Sequence, residues 1–257
     1  MNSAISVDTE HQARWIRAFH PAPTATLRLI CFPHAGGSAV YYRPLARALS
    51  LPIEVRAVQY PGRQDRMREP FIDDIRELAE QVALALPPDG VPTMFFGHSM
   101  GATVAFEVAR RWERLGHSPI RLFVSGRRAP SLRADYQIPL ATDDDVLTEI
   151  RRLAGTDDRL LAEDDLLRMI IPAVRNDYRA VETYLAEPEA VVSCPTVAMR
   201  GTQDPRVSGK DIEKWRGHTS GAFALHSFGG GHFYLEQRWD QVAALVERHV
   251  SFGACAA

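Results

Sequence analysis

The sequence predicts an α/β protein, a mainly parallel sheet covered by helices on both faces. Three observations carry this expectation. Short apolar runs of strand length alternate with amphipathic stretches of helical period through the first half of the 257-residue chain. The connections between them are short, as in successive strand–helix–strand units. The residues with chemical potential gather at the C-terminal ends of the runs, which is where ligands bind in open α/β sheets.

The totals bound the class. A chain of this length supports one domain with a core that needs no disulfide staples. Its composition, 46% hydrophobic and 24% charged, is that of an ordinary globular protein. A net charge of −2 with no basic block argues against nucleic acid as a partner. Cys31, Cys194 and Cys255 are odd in number and far apart, so they form neither a disulfide framework nor a metal spacing. That usage fits a reducing cytoplasm. The first twenty residues carry Asp8, Glu10, Arg14 and Arg17 and no apolar run, so no signal peptide is visible. No apolar run approaches the length of a membrane span.

Taken in order, residues 1–26 read as an irregular arm, with Trp15, Ile16 and Phe19 packing on the body and Pro21 and Pro23 opposing a helix. Leu27 to Phe32 is the first strand. It runs into the small-residue loop Pro33-His34-Ala35-Gly36-Gly37-Ser38-Ala39, and a helix from about Tyr41 to Leu49 follows. Ile53 to Tyr60 is the second strand, ended by the turn Pro61-Gly62-Arg63. Apolar positions at Ile72, Ile75, Leu78, Ala79, Val82 and Leu86 mark a helix stopped by Pro87-Pro88. Thr93 to Gly97 is a third strand, a helix follows it, and Ile120 to Val124 is a fourth.

The alternation then breaks. Between about 130 and 192 no good strand occurs, and three stretches read as helices: Asp143 to Leu153, Glu163 to Ile171, and Val174 to Leu185, the last two separated by Pro172. An all-helical insertion between sheet strands is expected to form a lid over the sheet's C-terminal edge, with an inner face able to line an acyl chamber. Cys194 to Arg200 resumes the sheet, Phe223 to Phe228 completes it, and a last helix runs from about Leu235 to Val250, before a tail expected to be disordered. The whole is one domain, residues 1–257, with a core of about 15–129 and 193–250.

Gly97-His98-Ser99-Met100-Gly101 lies between the third strand and the helix after it. G-x-S-x-G in that setting is the nucleophile elbow of an α/β-hydrolase. The serine sits on a strained turn, and side chains two positions either side of it would collide with the neighbouring strand and helix. A serine hydroxyl needs a base, and histidine suits the task because its pKa lies near neutrality. Of nine histidines, only His232 follows the last strand behind a glycine run. His98 sits inside the elbow, too constrained to reach its neighbour. The acid should fall between serine and histidine in the chain. Asp204, after a strand and before Pro205, fits, and Asp177 is its rival. The oxyanion donors are expected from the backbone N–H of Met100, which opens a helix, and of Ala35 in the loop after the first strand, with Gly36 as the alternative.

Seven motifs in order resemble the stand-alone type II thioesterases of polyketide and nonribosomal peptide assembly lines. They are Cys31-Phe32-Pro33-His34-Ala35-Gly36-Gly37-Ser38, Gln59-Tyr60-Pro61-Gly62-Arg63, the elbow, Ser125-Gly126-Arg127-Arg128-Ala129-Pro130, Asp177-Tyr178 with Glu182 and Tyr184, Gly201-Thr202-Gln203-Asp204-Pro205, and Gly230-Gly231-His232-Phe233. The resemblance spans about Trp15 to Val250. It implies a Ser99–His232–Asp204 triad, donors at Ala35 and Met100, and a mobile helical lid. It implies substrates that are acyl groups on the phosphopantetheine arm of acyl or peptidyl carrier proteins, cleared as an editing reaction without metal or redox cofactor. Carrier proteins are acidic, so a basic docking rim is expected, for which Arg63, Arg127 and Arg128, with Arg66 and Arg68, are the candidates. A monomer suffices. The rival readings are an esterase acting on oxygen esters, a non-catalytic protein that docks on carriers, and an enzyme of product release or macrocyclisation.

Overall fold

A computed structural model of the chain describes residues 9–20, 22–133, 138, 141–154 and 164–251. The described strands form one seven-stranded sheet. Strand β1 (Ile16–Ala18) follows helix α1 (Thr9–Trp15) and pairs antiparallel with β3 (Ile53–Val58) at the sheet edge. The expected irregular arm thus contains a helix and an edge strand. Its stability comes from its partner: Gln59 N–H donates to Trp15 O (2.7 Å), and the Arg66 guanidinium lies 4.1 Å from the Trp15 ring.

The other strands are parallel: β2 (Leu27–Phe32), β3, β4 (Thr93–His98), β5 (Arg121–Ser125), β6 (Thr196–Gly201) and β7 (Phe223–Phe228), in the order β1-β3-β2-β4-β5-β6-β7. Period-two geometry divides their apolar side chains between two cores. Ile30, Phe32, Phe95, Leu122 and Val124 meet α3 (Ile75–Ala85) and α4 (Met100–Arg114) on one face. Leu29, Cys31, Met94, Phe96 and Phe123 meet α2 (Arg43–Ala48) and α8 (Trp239–Ser251) on the other. Burying each such aliphatic or phenyl side chain stabilises the fold by roughly 1.5–3 kcal/mol.

Helix α3 is capped by Asp74, which accepts from Glu77 N–H (2.8 Å), and so starts at Ile75, three residues beyond the expected start at Ile72. Helix α4 is buried on nearly all sides through its first three turns and ends before Gly116, whose φ of +79° suits a C-terminal cap.

Two helices of the 130–192 segment are described, α5 (Asp143–Ala154) and α6 (Asp164–Thr183). The expected break at Pro172 does not occur. Proline costs about 3 kcal/mol inside a helix, but Pro172 is exposed, while Ile171, Ala173, Val174, Ala180 and Val181 are buried and hold the helix through it. Residues 134–137, 139–140 and 155–163 of the expected lid, and the tail after Ser251, lie outside the described residues. Short α7 (Gly209–Glu213) follows β6 with a capping box between Ser208 and Asp211. Among the described residues no helix is long and apolar enough to cross a membrane.

The sheet registers His98 beside Ser125 and Gly201 beside Phe228, so the loops after β4, β5, β6 and β7 leave from one edge. A Cβ on Gly101 would sit 1.9 Å from Phe32 O and one on Gly97 2.3 Å from Gly101 O, whereas one on Gly217 would meet open space. Overpacking costs about 1–3 kcal/mol, and the upper end is expected where the clash is with backbone that cannot turn aside. Gly101→Ala is therefore expected to lower Tm by roughly 6–12 °C, and Gly217→Ala to leave it equal or slightly higher. Thermal melts by circular dichroism check the pair.

Candidate active site

Ser99 occupies φ +53°, ψ −120°, outside the regions an L-residue prefers. Strain of this kind costs about 1–3 kcal/mol and needs surrounding structure to enforce it. The enforcing contacts are the glycine approaches above and a hydrogen bond from Ser99 N–H to Ser125 O (2.8 Å). Helix α4 begins at Met100, so the Met100 N–H is one of the donors that the helix itself leaves unpaired.

Asp204 and His232 lie 28 positions apart and meet at 2.9 Å, Nδ1 of the imidazole to Oδ2 of the carboxylate. Both side chains are buried. A carboxylate only accepts, so Nδ1 carries a proton, and in the neutral imidazole Nε2 is the nitrogen left with a lone pair. The loops are laced together by Thr202 N–H to Phe228 O (2.8 Å) and Gln203 N–H to Gly230 O (2.9 Å). The other Asp204 oxygen accepts from Arg206 N–H (2.8 Å), which holds the carboxylate's orientation. His98 is buried; its Nδ1 lies 2.9 Å from Ser125 Oγ, which in turn lies 2.8 Å from the Tyr234 hydroxyl. It is scaffold beneath the site, as its place in the elbow suggests.

The loop after β2 turns where Gly37 N–H donates to His34 O (2.9 Å) and Gly36 adopts φ +74°, a φ that glycine accepts. Because His34 O points into this turn, the Ala35 N–H of the same trans peptide points out of it. Gly36 N–H is engaged by Asp177 Oδ2 at 2.7 Å, which removes the alternative oxyanion donor. Asp177 also receives both terminal nitrogens of Arg63, at 2.6 and 2.9 Å. Its two oxygens are thereby occupied, and it is no rival to Asp204.

Ala35, Ser99, Met100 and His232 line one tight cavity of about 10 Å³, together with Gly126, Arg127, Arg206 and, from α6, Tyr178 and Val181. His232 also borders an open cleft of about 500 Å³ on its other side, with Arg152, Gln203, Gly231 and Gln237. A third groove, about 300 Å³ between α3 and α4, is lined by Leu84, Leu115 and Arg111 among others and holds no serine or histidine. Val181 and Arg206 were not anticipated from sequence, although Arg206 lies only two residues past Asp204. Arg206 Nε donates to Glu149 of α5 (2.9 Å), and its guanidinium lies 5.4 Å from the Tyr178 ring. Among the described residues no group of three or more His, Cys, Asp or Glu is arranged to hold a metal.

The expected docking rim needs correction. Arg63, Arg66 and Arg127 are buried, not rim residues. Arg63 is held by Asp177; burial opposes its charge, but that carboxylate more than offsets it and raises the guanidinium pKa. Arg66 binds Gln59 O and Glu69, and Arg127 Nε donates to Thr103 Oγ1 (3.1 Å). Arg128 is half-buried and donates to Arg133 O and Arg206 O. Arg68 is exposed.

His34 packs edge-on against Tyr41 and Phe233, and its Nδ1 is sealed from solvent. Burial first, then the charges of His232 and Arg63, lower its pKa to about 3. An unfolded histidine protonates near pH 6.5. Between about 6.5 and 3 the unfolded chain therefore binds more protons at this position, and stability falls as pH falls. His34→Phe is expected to flatten that decline by up to about 1.4 kcal/mol per pH unit. Urea unfolding at pH 7, 6 and 5 on both proteins measures it.

Comparison with known proteins identifies the family. Residues 27–250 match the thioesterase domain family. The chain is 49% identical over 240 residues to thioesterase PikA5 of Streptomyces venezuelae, covering 92% of this chain and 85% of that one. The type II thioesterase BorB of the borrelidin biosynthetic cluster superposes with a TM-score of 0.85 at 46% identity, covering 91% of this chain and 97% of that one. RedJ, a thioesterase of the prodiginine pathway of Streptomyces coelicolor, gives 0.83 at 35%, with coverages of 97% and 96%. By its match over residues 27–250 and its likeness to these relatives, this protein belongs to the thioesterase family, as a serine hydrolase of the type II kind.

Proposed function

We propose that the protein is an editing thioesterase of a polyketide or nonribosomal peptide assembly line, hydrolysing acyl groups from the phosphopantetheine arm of carrier proteins. The observation that carries the chemistry is the Asp204–His232 pair lining, through His232, the same cavity as Ser99, Ala35 and Met100. The substrate class rests on the type II thioesterases it resembles, whose clusters make borrelidin and, for a further relative at 28% identity, yersiniabactin.

In this mechanism Ser99 Oγ attacks the thioester carbonyl while His232 Nε2 accepts its proton. The Asp204 carboxylate stabilises the imidazolium that forms and fixes its tautomer. Negative charge on the tetrahedral oxygen is met by the N–H groups of Ala35 and Met100, the latter at a helix N-terminus. The C–S bond breaks, and the pantetheine thiol leaves with the proton from His232. Water then attacks the acyl-serine with His232 again as base, and the free acid departs. The reaction needs no metal or redox cofactor, since the phosphopantetheine arrives as part of the substrate, and one chain carries every group required. The open cleft beside His232, with the side-chain amides of Gln203 and Gln237, suits an arm that itself carries amides.

The decisive comparison is kcat/KM on an acyl chain loaded on a carrier protein against the same acyl chain as an oxygen ester. The thioester is expected to be favoured at least tenfold; equal or better ester turnover overturns the reading in favour of a general esterase. Ser99→Ala is expected to lower thioester hydrolysis by at least a thousandfold, given the roughly 10⁶-fold effect of removing a triad serine. Unchanged turnover in that variant overturns Ser99 as the nucleophile, and a parent protein with no turnover above background would be a carrier-binding protein rather than an enzyme.

A further inference from the structure

We propose that Asp177 is a positioning residue for the oxyanion hole. By accepting the Gly36 N–H while paired with Arg63, it makes the catalytic geometry of the Ala35 loop depend on helix α6 being seated. The proposal rests on the hydrolase reading above and deepens it by assigning the lid helix a part in catalysis.

Asp177 lies on α6, 141 positions along the chain from the loop it grips. Its Oδ2 takes both the Gly36 N–H and an Arg63 Nη1–H, and its Oδ1 takes Arg63 Nη2–H. Arg63 is in turn fixed to the body of the protein, donating to Pro61 O (3.1 Å) and Gly37 O (3.3 Å). The carboxylate is therefore plugged into a socket made of two loops, those after β2 and β3. Around it, Val174 of α6 packs so closely on Gly36 that a Cβ there would lie 2.5 Å from Val174 Cγ2. Asn176 donates to Ile72 O at 2.8 Å.

The bond reaches the reaction through one peptide plane. Gly36 N–H belongs to the Ala35–Gly36 peptide, so the Asp177 carboxylate sets its orientation. The neighbouring His34–Ala35 peptide carries the Ala35 N–H, whose outward direction depends on the same turn. A charged acceptor makes the stronger kind of hydrogen bond, and the Gly36 N–H it receives is part-buried. With α6 lifted, Gly36 N–H and Arg63 would both lose their partner, and the turn would lose the contact that holds it. Tyr178, the next residue of α6, and Val181, one turn on, line the Ser99 cavity. One stretch of helix thus touches both the substrate space and the loop that stabilises its oxyanion. If the pair served only to fasten the lid, an ion pair between side chains would suffice, and a backbone N–H beside the proposed donor would not be recruited.

Two variants separate positioning from fastening. Arg63→Met/Asp177→Leu replaces the buried ion pair with apolar groups, an exchange that is often neutral for stability. It is expected to stay folded, with kcat lowered at least tenfold towards the 10²–10³ cost of losing an oxyanion donor, and KM changed less than threefold. Its affinity for octylboronic acid, which adds to a serine and places an oxygen in the hole, should fall by the same factor as kcat. Asp177→Asn keeps an acceptor oxygen and should retain more kcat than the double variant. A folded double variant with kcat within twofold of the parent overturns the proposal. So does a rise in KM at unchanged kcat, or a boronate affinity that does not follow kcat. Should both variants fail to fold, hydrogen exchange on the unaltered protein decides. Boronate binding is expected to slow the amides of 34–37 and 174–181 together; protection of the loop without α6 overturns the coupling. The ratios are taken on whichever ester the parent enzyme prefers, so a failure of the thioester preference remains distinct from a failure of this proposal.

Discussion

The first turn of α4 presses on the end of β2 with no room for a side chain between them, and most of the site follows from that contact. A Cβ at Gly101 would come within 1.9 Å of Phe32 O and 2.6 Å of Pro33 O. The approach forces the backbone at Ser99 to a positive φ. It also brings the segment after Phe32, which becomes the Ala35 loop, against the helix terminus that offers Met100 N–H. Raising the serine on a strained turn and bringing the Ala35 loop up to the start of α4 are one packing event. The parallel sheet then completes the site from farther away. β6 and β7 end at the same edge, and Gly201 lets their loops touch, since a Cβ there would lie 2.1 Å from Gly231 O. Asp204 and His232 meet across that touch.

What could be read from sequence was what depends on neighbouring residues. The strands are apolar runs bounded by turns, and the elbow glycines sit within five positions of each other, so strand, turn and helix were visible without tertiary information. The misreadings share a cause in distant partners. The three-residue strand Ile16–Ala18 is too short to show a period and is defined by its pairing with Val58, Ala57 and Arg56. Helix α6 passes through Pro172 because its buried face packs on the body, a term that local propensity does not contain. Arg63, Arg66 and Arg127 looked like surface charges because loop arginines usually are. Their partners, Asp177 for Arg63 and Thr103 for Arg127, are 114 and 24 residues away.

The two carboxylates considered for the acid role illustrate how environment assigns function to identical groups. Asp204 gives one oxygen to a backbone N–H and the other to an imidazole, so its charge is available to a proton that arrives during the reaction. Asp177 faces a guanidinium that is always protonated, so its charge is already matched and serves geometry instead. Exchanging them fails on both counts. A carboxylate neutralised by Arg63 would support an imidazolium weakly, and a carboxylate turned to His232 would leave Arg63 buried without its counter-charge, which costs about 3–5 kcal/mol.

The same division separates the parts of the site held by the sheet from those held by the insertion. Ser99, Met100, Asp204 and His232 lie on elements whose positions the sheet determines. Gly36 and Arg206 are held in addition by the insertion's helices, through Asp177 of α6 and Glu149 of α5. The cavity at Ser99 is narrow, and Tyr178 and Val181 form part of its wall. An acyl chain that displaced them would pull on the turn of helix that carries Asp177. Chains that let α6 settle back would find the Ala35 loop held, and chains that prop it away would meet a loosened donor. Discrimination among acyl groups would then appear in kcat, through the geometry of the hole, more than in binding. That is what a single small site needs if it is to select among substrates sharing one pantetheine arm.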